Sequence, residues 1–230
     1  SRAAAGSFAG CYLNYNFASS HDEPVQIRIA AGCSFEQAQT RLREESRDWN
    51  FASTKQAAIE IWNRKLASIE VKGGKQRVRD LFYSALYHAS ASPTKIAKKG
   101  EDYLGKDGKI QTTAYDRYDE VPYWDTGRNQ VVLLTLLDPE TKVNILRSQL
   151  DMARESGNMG TSFHGDHAVA MYLGDWERGV PFEYEPVYAY LRKNAMDPNG
   201  PRANLPEYLE KGWIHDTVVD YPSPPYDEGN

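Results

Sequence analysis

Near the start of the chain apolar residues recur every second position, the spacing of a strand. From residue 34 onward they mostly recur every third or fourth, the spacing of one helix face. Residues 8–17 (FAGCYLNYNF) and 25–31 (VQIRIAA) flank the turn-rich stretch ASSHDEP, so an antiparallel hairpin is expected there. A lone hairpin is marginal in water, which makes it part of a larger sheet. Ser34 and Gln37 then stand at capping-box spacing, opening a helix that should run to about Ser46. A second helix is expected from Ser53 or Thr54 through KQAAIEIWNRKLASIEV, with Ala58, Ile61, Trp62, Leu66 and Ile69 on one face, Trp62 in the core and Gly73-Gly74 as the stop. QRVRDLFYSALYHASAS is strongly amphipathic, with Val78, Leu81, Phe82, Ala85, Leu86 and Ala89 aligned and Pro93 as its end.

Residues 95–122 have no strong period and hold a Gly-, Lys- and Asp-rich loop; KIQTT fits one arm of a small hairpin. The apolar run 131–137 reads as buried helix and is broken by Asp138-Pro139. Further helices are expected in ETKVNILRSQLDMARESG, AVAMYLGDWERGV, PFEYEPVYAYLRKNAM and LPEYLEKG, with the polar loop NMGTSFHGDH after the first. Long loops alternate with short ones, as they would in helices packed pairwise in an antiparallel toroid. On that plan YWDTGR and FHGDHA both fall at helix starts, one helix hairpin apart, and open on one face.

The composition leaves this picture intact. Hydrophobic residues make up 40% and charged residues 26% of the 230, enough for a packed core. The net charge of -5 argues against a nucleic-acid partner, which asks for a basic face. No apolar run approaches the roughly 20 residues of a membrane span. The first ten residues do not make a signal peptide, and both ends lead to the expectation of a fragment of a longer protein. Two cysteines, Cys11 and Cys33, fit no zinc pattern; they form either a disulfide, if the protein is exported, or two separate thiols.

The stretch Tyr123 to Arg128 (YWDTGR) sets an aromatic ring, a carboxylate, a hydroxyl and a guanidinium close together at the mouth of an apolar helix. Trp124 could pack on the C–H face of a sugar while Asp125 accepts its hydroxyls. Equally, Trp124 could be buried with Asp125 capping the next helix. His88 reads as a core or helix-end residue. Asp107-Gly108 does not continue into a calcium-binding EF-hand loop.

LFYSALYHASASP, YWDTGR, LLDPE, GDHA, YLRKNAM and PEYLEKGW, in this order, resemble glycoside hydrolase family 92, exo-acting α-mannosidases. The resemblance covers nearly the whole chain. It implies a mainly α fold: residues 1–48 as the end of an N-terminal β-sandwich, 49–74 as linker helices, and 75–230 as the opening part of an (α/α)6 barrel. It implies a sugar subsite carrying Trp124 and Asp125, braced by Arg128, with Asp166 and His167 at its edge. It further implies inverting hydrolysis of mannose-containing glycans, in which the two carboxyl groups stand roughly 6.5–9.5 Å apart. A calcium ion would aid sugar binding. The acid, the base and the calcium ligands lie outside this chain, so no residue here is assigned as catalytic; the rest of the polypeptide, or a second chain, completes the barrel. Secretion, a periplasmic location or the cell surface follows from the same likeness. This chain departs from the family in having Gly127 where Phe is usual and a shorter loop, NMGTSFH, before GDHA. The competing readings are a non-catalytic carbohydrate-binding or scaffolding helical module, and catalysis within this chain by Glu120 or Asp125 paired with Asp166.

Overall fold

The computed structural model describes residues 27–45, 47–127, 129–161, 165–202 and 204–215. It is mainly helical, with two short two-stranded ribbons. The first arm of the expected hairpin and Cys11 lie outside the described residues. Its second arm is corrected: residues 27–32 form no strand. Cys33 is half-buried and has no disulfide partner among the described residues.

Helix α1 (Phe35–Glu45) starts where the capping box places it. The Gln37 N–H donates to Ser34 Oγ at 3.1 Å, and Gln37 Oε1 accepts from Cys33 N at 2.8 Å, one residue before the usual partner. Helix α2 (Phe51–Leu66) begins earlier than expected, because Asn50 caps it by accepting from Ser53 N at 3.0 Å. It also stops well before Gly73. Tyr83 of α3 (Gln76–Ser90) donates to Ile69 O and accepts from Val71 N, both at 3.1 Å, holding that stretch as a loop. Trp62 is half-buried against Tyr87, ring centroids 4.4 Å apart, and is not a core residue. Of the aligned apolar residues on α3 only Leu86 is buried.

β1 (Lys95–Ala97) pairs antiparallel with β4 (Arg117–Tyr118), and between them β2 (Asp102–Leu104) pairs with β3 (Ile110–Thr112), so the expected KIQTT hairpin is present. Its turn passes through Gly108 at φ 76, a conformation that favours glycine. Arg117, fully buried, fastens this ribbon to the helices. It donates to both Glu155 oxygens at 2.8 and 2.9 Å and lies 3.9 Å from the Tyr103 ring centroid.

A short turn of helix α4 (Tyr123–Thr126) leads into α5 (Gln130–Leu137) and the long α6 (Pro139–Ser156). α6 combines every expected signal: Asp138 Oδ1 accepting from Thr141 N at 3.1 Å, Pro139 in the first turn, and Gly157 at φ 85 as the stop. α7 (Ala168–Glu177), α8 (Tyr184–Met196) and α9 (Leu205–Lys211) follow. Val131 and Leu134 of α5, Ile145, Leu146 and Leu150 of α6, Met171 and Tyr172 of α7 and Val187 of α8 form one core with Val121 and Tyr123.

Candidate functional site

The approach to Trp124 is held by polar side chains on the buried face of α6. Ser148 Oγ accepts from Tyr118 N at 2.9 Å. Gln149, fully buried, accepts from Val121 N at 3.1 Å and from the Tyr123 hydroxyl at 3.2 Å, and donates to Asp119 O at 2.9 Å. An apolar residue at either place would leave buried backbone groups unpaired. Tyr123 therefore points inward as the anchor of YWDTGR, and its neighbour Trp124 points outward.

Trp124 is 38% exposed, and Asp125 is exposed as well. The arrangement of a buried Trp with a capping Asp is absent: Asn129 caps α5, accepting from Gln130 N at 2.5 Å. A Cβ added at Gly127 would sit 2.7 Å from Tyr123 O, so the α4 turn closes tightly where the family resemblance expects Phe. The Trp124 ring meets the His167 imidazole edge-on, centroids 4.7 Å apart. The backbone reaches His167 through Gly165 at φ 88.

Beside His167, Asp166 is partly buried. Burial pushes its carboxyl above the usual carboxylate range, opposed by the Asn194 amide, the Arg202 guanidinium and His167. Asn194 of α8 is wholly buried and donates to Met159 O at 2.8 Å, which fixes the chain just before the GDHA loop. Asp166 Oδ1, His167 Nε2 and Asn194 Oδ1 are all out of contact with water and have no hydrogen-bond partner among the described residues. Unpaired buried polar atoms are costly and mark a place where a partner is missing.

Asp125 faces elsewhere, lining a cavity of about 510 Å³ with His88, Thr126, Asn129 and Leu133. His88 is exposed at the end of α3 and is no core residue. Glu120 is tied to Lys106 at 3.0 Å. The structure thus brings Trp124, Asp166 and His167 together and puts Asp125 on the adjoining cavity, while Arg128 lies outside the described residues. Asn194 and Gln149 were not singled out from the sequence. The readable signal was a polar residue at an apolar-face position: Asn194 follows Val187 and Leu191 at helical spacing, and Gln149 follows Ile145.

The family model for the glycosyl hydrolase family 92 catalytic domain matches residues 37–224. The chain belongs to glycoside hydrolase family 92. The family GH92 alpha-mannosidase BT3965 from Bacteroides thetaiotaomicron is 23% identical with a TM-score of 0.66, over 76% of this chain and 25% of its own. The family GH92 inverting mannosidase BT2199 from the same organism is 24% identical with a TM-score of 0.71, over 81% of this chain and 28% of its own. The family glycosyl hydrolase ccman5 is 18% identical with a TM-score of 0.59, over 78% and 25%. The chain thus spans about a quarter of the length of these family 92 structures. No curated protein matches it. Calcium takes six to eight oxygen ligands. Among the described residues no three His, Cys, Asp or Glu side chains are grouped to hold a metal, so these residues do not fit the calcium ion the resemblance implies. No helix among them is long and apolar enough to cross a membrane.

Proposed function

We propose that this chain supplies part of the mannose-binding subsite of an exo-acting α-mannosidase, as the opening portion of an (α/α)6 barrel that follows a β-sandwich. The observation that carries this reading is the Trp124–His167 pair set beside Asp166 and Asn194, with polar atoms on three of these side chains left without partners. A sugar offers what that cluster lacks. Its C–H face packs on the outward Trp124 ring, and its hydroxyls meet the half-buried Asp166 carboxylate beside that ring. Asp125, on the adjoining cavity, reaches a second part of the glycan. Family membership supports glycoside hydrolysis, and the names of the structural neighbours support mannose as the sugar released.

In this reading Asp166 binds and orients, and no described residue is assigned as acid or base. Residues beyond those described complete the barrel, donate the proton, activate the water that inverts the anomeric centre, and hold calcium. A secreted, periplasmic or cell-surface enzyme acting on mannose-containing glycans fits the same reading.

The test is mannose release from an α-linked mannobiose by the whole native protein. Trp124→Ala should lower kcat/KM by roughly tenfold or more, the scale of one lost stacking contact, and Asp166→Asn should lower it further. Wild-type protein that binds the disaccharide without hydrolysing it would favour the carbohydrate-binding module instead. Unchanged kinetics in both variants would remove the subsite.

A further inference from the structure

A second cavity, of about 740 Å³, opens near the N-terminal end of α6. The Asp166–Asn194 cluster lies past the other end of that helix, against Met159, whereas the cavity lining on α6 ends at Arg147. The cavity is built within this body: Lys99 and Asp116 come from the ribbon segment, Glu140, Lys142 and Arg147 from α6, and Arg178 from the turn after α7. Four of these six side chains are cationic, on a chain whose net charge is -5.

The two acids do not balance them. Asp116 is taken by an ion pair with Lys95 and by the Lys99 N–H at 3.0 Å. Glu140 has no cation partner among the described residues. Lys99 and Arg147 have no acid within ion-pair distance among those residues; the Arg147 guanidinium meets Asn144 Oδ1 at 3.4 Å and the Tyr115 ring, 5.9 Å from its centroid. Lys142, wholly buried at the cavity wall, lies 2.6 Å from Asp175 Oδ2 and meets no other acceptor there. An ammonium carries three donors, so most of its hydrogen-bonding capacity is unused. Asp175 is shared with Arg178, whose Nη1 is 4.0 Å from Oδ1. Thr135 Oγ1, on the same wall, is out of contact with water and has no partner among the described residues.

We propose that this cavity binds a compact polyvalent oxyanion, either a phosphate ester or a polycarboxylate, seated between the exposed guanidiniums of Arg147 and Arg178, with the buried Lys142 charge behind the wall. The two guanidiniums supply planar forks suited to such oxygens, and Lys99 adds charge at the rim. The site is separate from the mannoside subsite and does not rest on it.

The experiment is calorimetric titration of the whole native protein with inorganic phosphate and, separately, citrate. Saturable binding tighter than about 1 mM by either anion is expected, weakening as salt is added. The double variant Arg147→Gln/Arg178→Gln changes two exposed side chains. It should weaken binding by about tenfold or more, with an unchanged melting temperature. Trp124→Ala should leave it unaltered. The tighter of the two anions identifies the source. No saturable binding, or binding indifferent to the double variant, overturns the proposal, and neither outcome bears on mannose release.

Discussion

Leu81 on α3 and Ile145 on α6 occupy matching places in the apolar stripes of their helices, yet Leu81 is 70% exposed and Ile145 is fully buried. The two helices are of similar length and both amphipathic. α6 is engaged along its whole inner side: β4 lies along it, α5, α7 and α8 pack on it, and its buried polar residues hold neighbouring backbone, while Glu140, Arg147 and Arg154 face out. α3 touches α2 through Trp62 and Tyr87, and α5 through Gln130, which donates to Ala89 O at 2.6 Å. Its Val78–Leu81 face meets nothing comparable among the described residues. Periodicity states that a face favours burial; it does not state what covers it. The chain spans about a quarter of its structural relatives.

The contrast is open to direct attack. Its largest expected effect is at Arg117. Arg117→Ala would leave Glu155 buried without its partner and should cost about 3–5 kcal/mol, read as a lower urea midpoint. A loss below about 1 kcal/mol would show that the ribbon is not fastened through this pair. Next comes the matched pair. Ile145→Ala should cost about 2–5 kcal/mol, through lost burial and the cavity left behind. Leu81→Ala in this chain alone should stay within about 0.5 kcal/mol, as exposed positions do. If Leu81→Ala in the whole native protein costs as much as Ile145→Ala, the α3 face is covered there, and the contrast belongs to the 230 residues only.

The smallest effect is inside the packed body, where Asp166 is the exception. Its folded carboxyl is raised above the ordinary value of about 3.9 by burial, so the folded state holds the proton more tightly than the unfolded one. The stability this adds is complete below the ordinary carboxylate value and is lost as pH rises through the raised one. Asp166→Asn carries no such loss. Its urea midpoint should therefore gain on the wild type as pH rises from the ordinary carboxylate value through the raised one, and run parallel above that. A constant gap across this window would mean that the carboxylate is not strained by its burial. A gain in stability alongside lost mannose release is the pattern of a group kept for binding.

Much of the helical order was legible from single residues. Asp138-Pro139 and Gly157 bound α6 because a cap, a ring without an N–H and a left-handed stop act on the nearest turn of backbone. Ser34 and Gln37 start α1 for the same reason. The misreadings came where a distant partner intervened. α2 was expected to run to Gly73, but the Tyr83 hydroxyl holds Ile69 and Val71 outside the helix. Trp62 was expected in the core, and its ring meets only a neighbouring helix. Within the site, Trp124 was legible as an aromatic beside an acid at a helix mouth and Asp166 and His167 through the family resemblance, whereas Asn194 and Gln149 were not singled out.

By itself the sequence determined the helices of residues 139–211, the small hairpin, the membership in family 92 and the presence of an aromatic–acid pair at a helix mouth. All of these rest on neighbours in the chain or on motifs in order. Only the tertiary structure decided that Trp124 turns outward to His167 while Tyr123 turns inward to Gln149, and that Asp125 faces a different cavity from Asp166. It likewise decided that Lys142 is buried against Asp175 beside unpaired arginine charge. Side-chain direction and charge balance depend on which elements pack together, and local spacing carries no information about that.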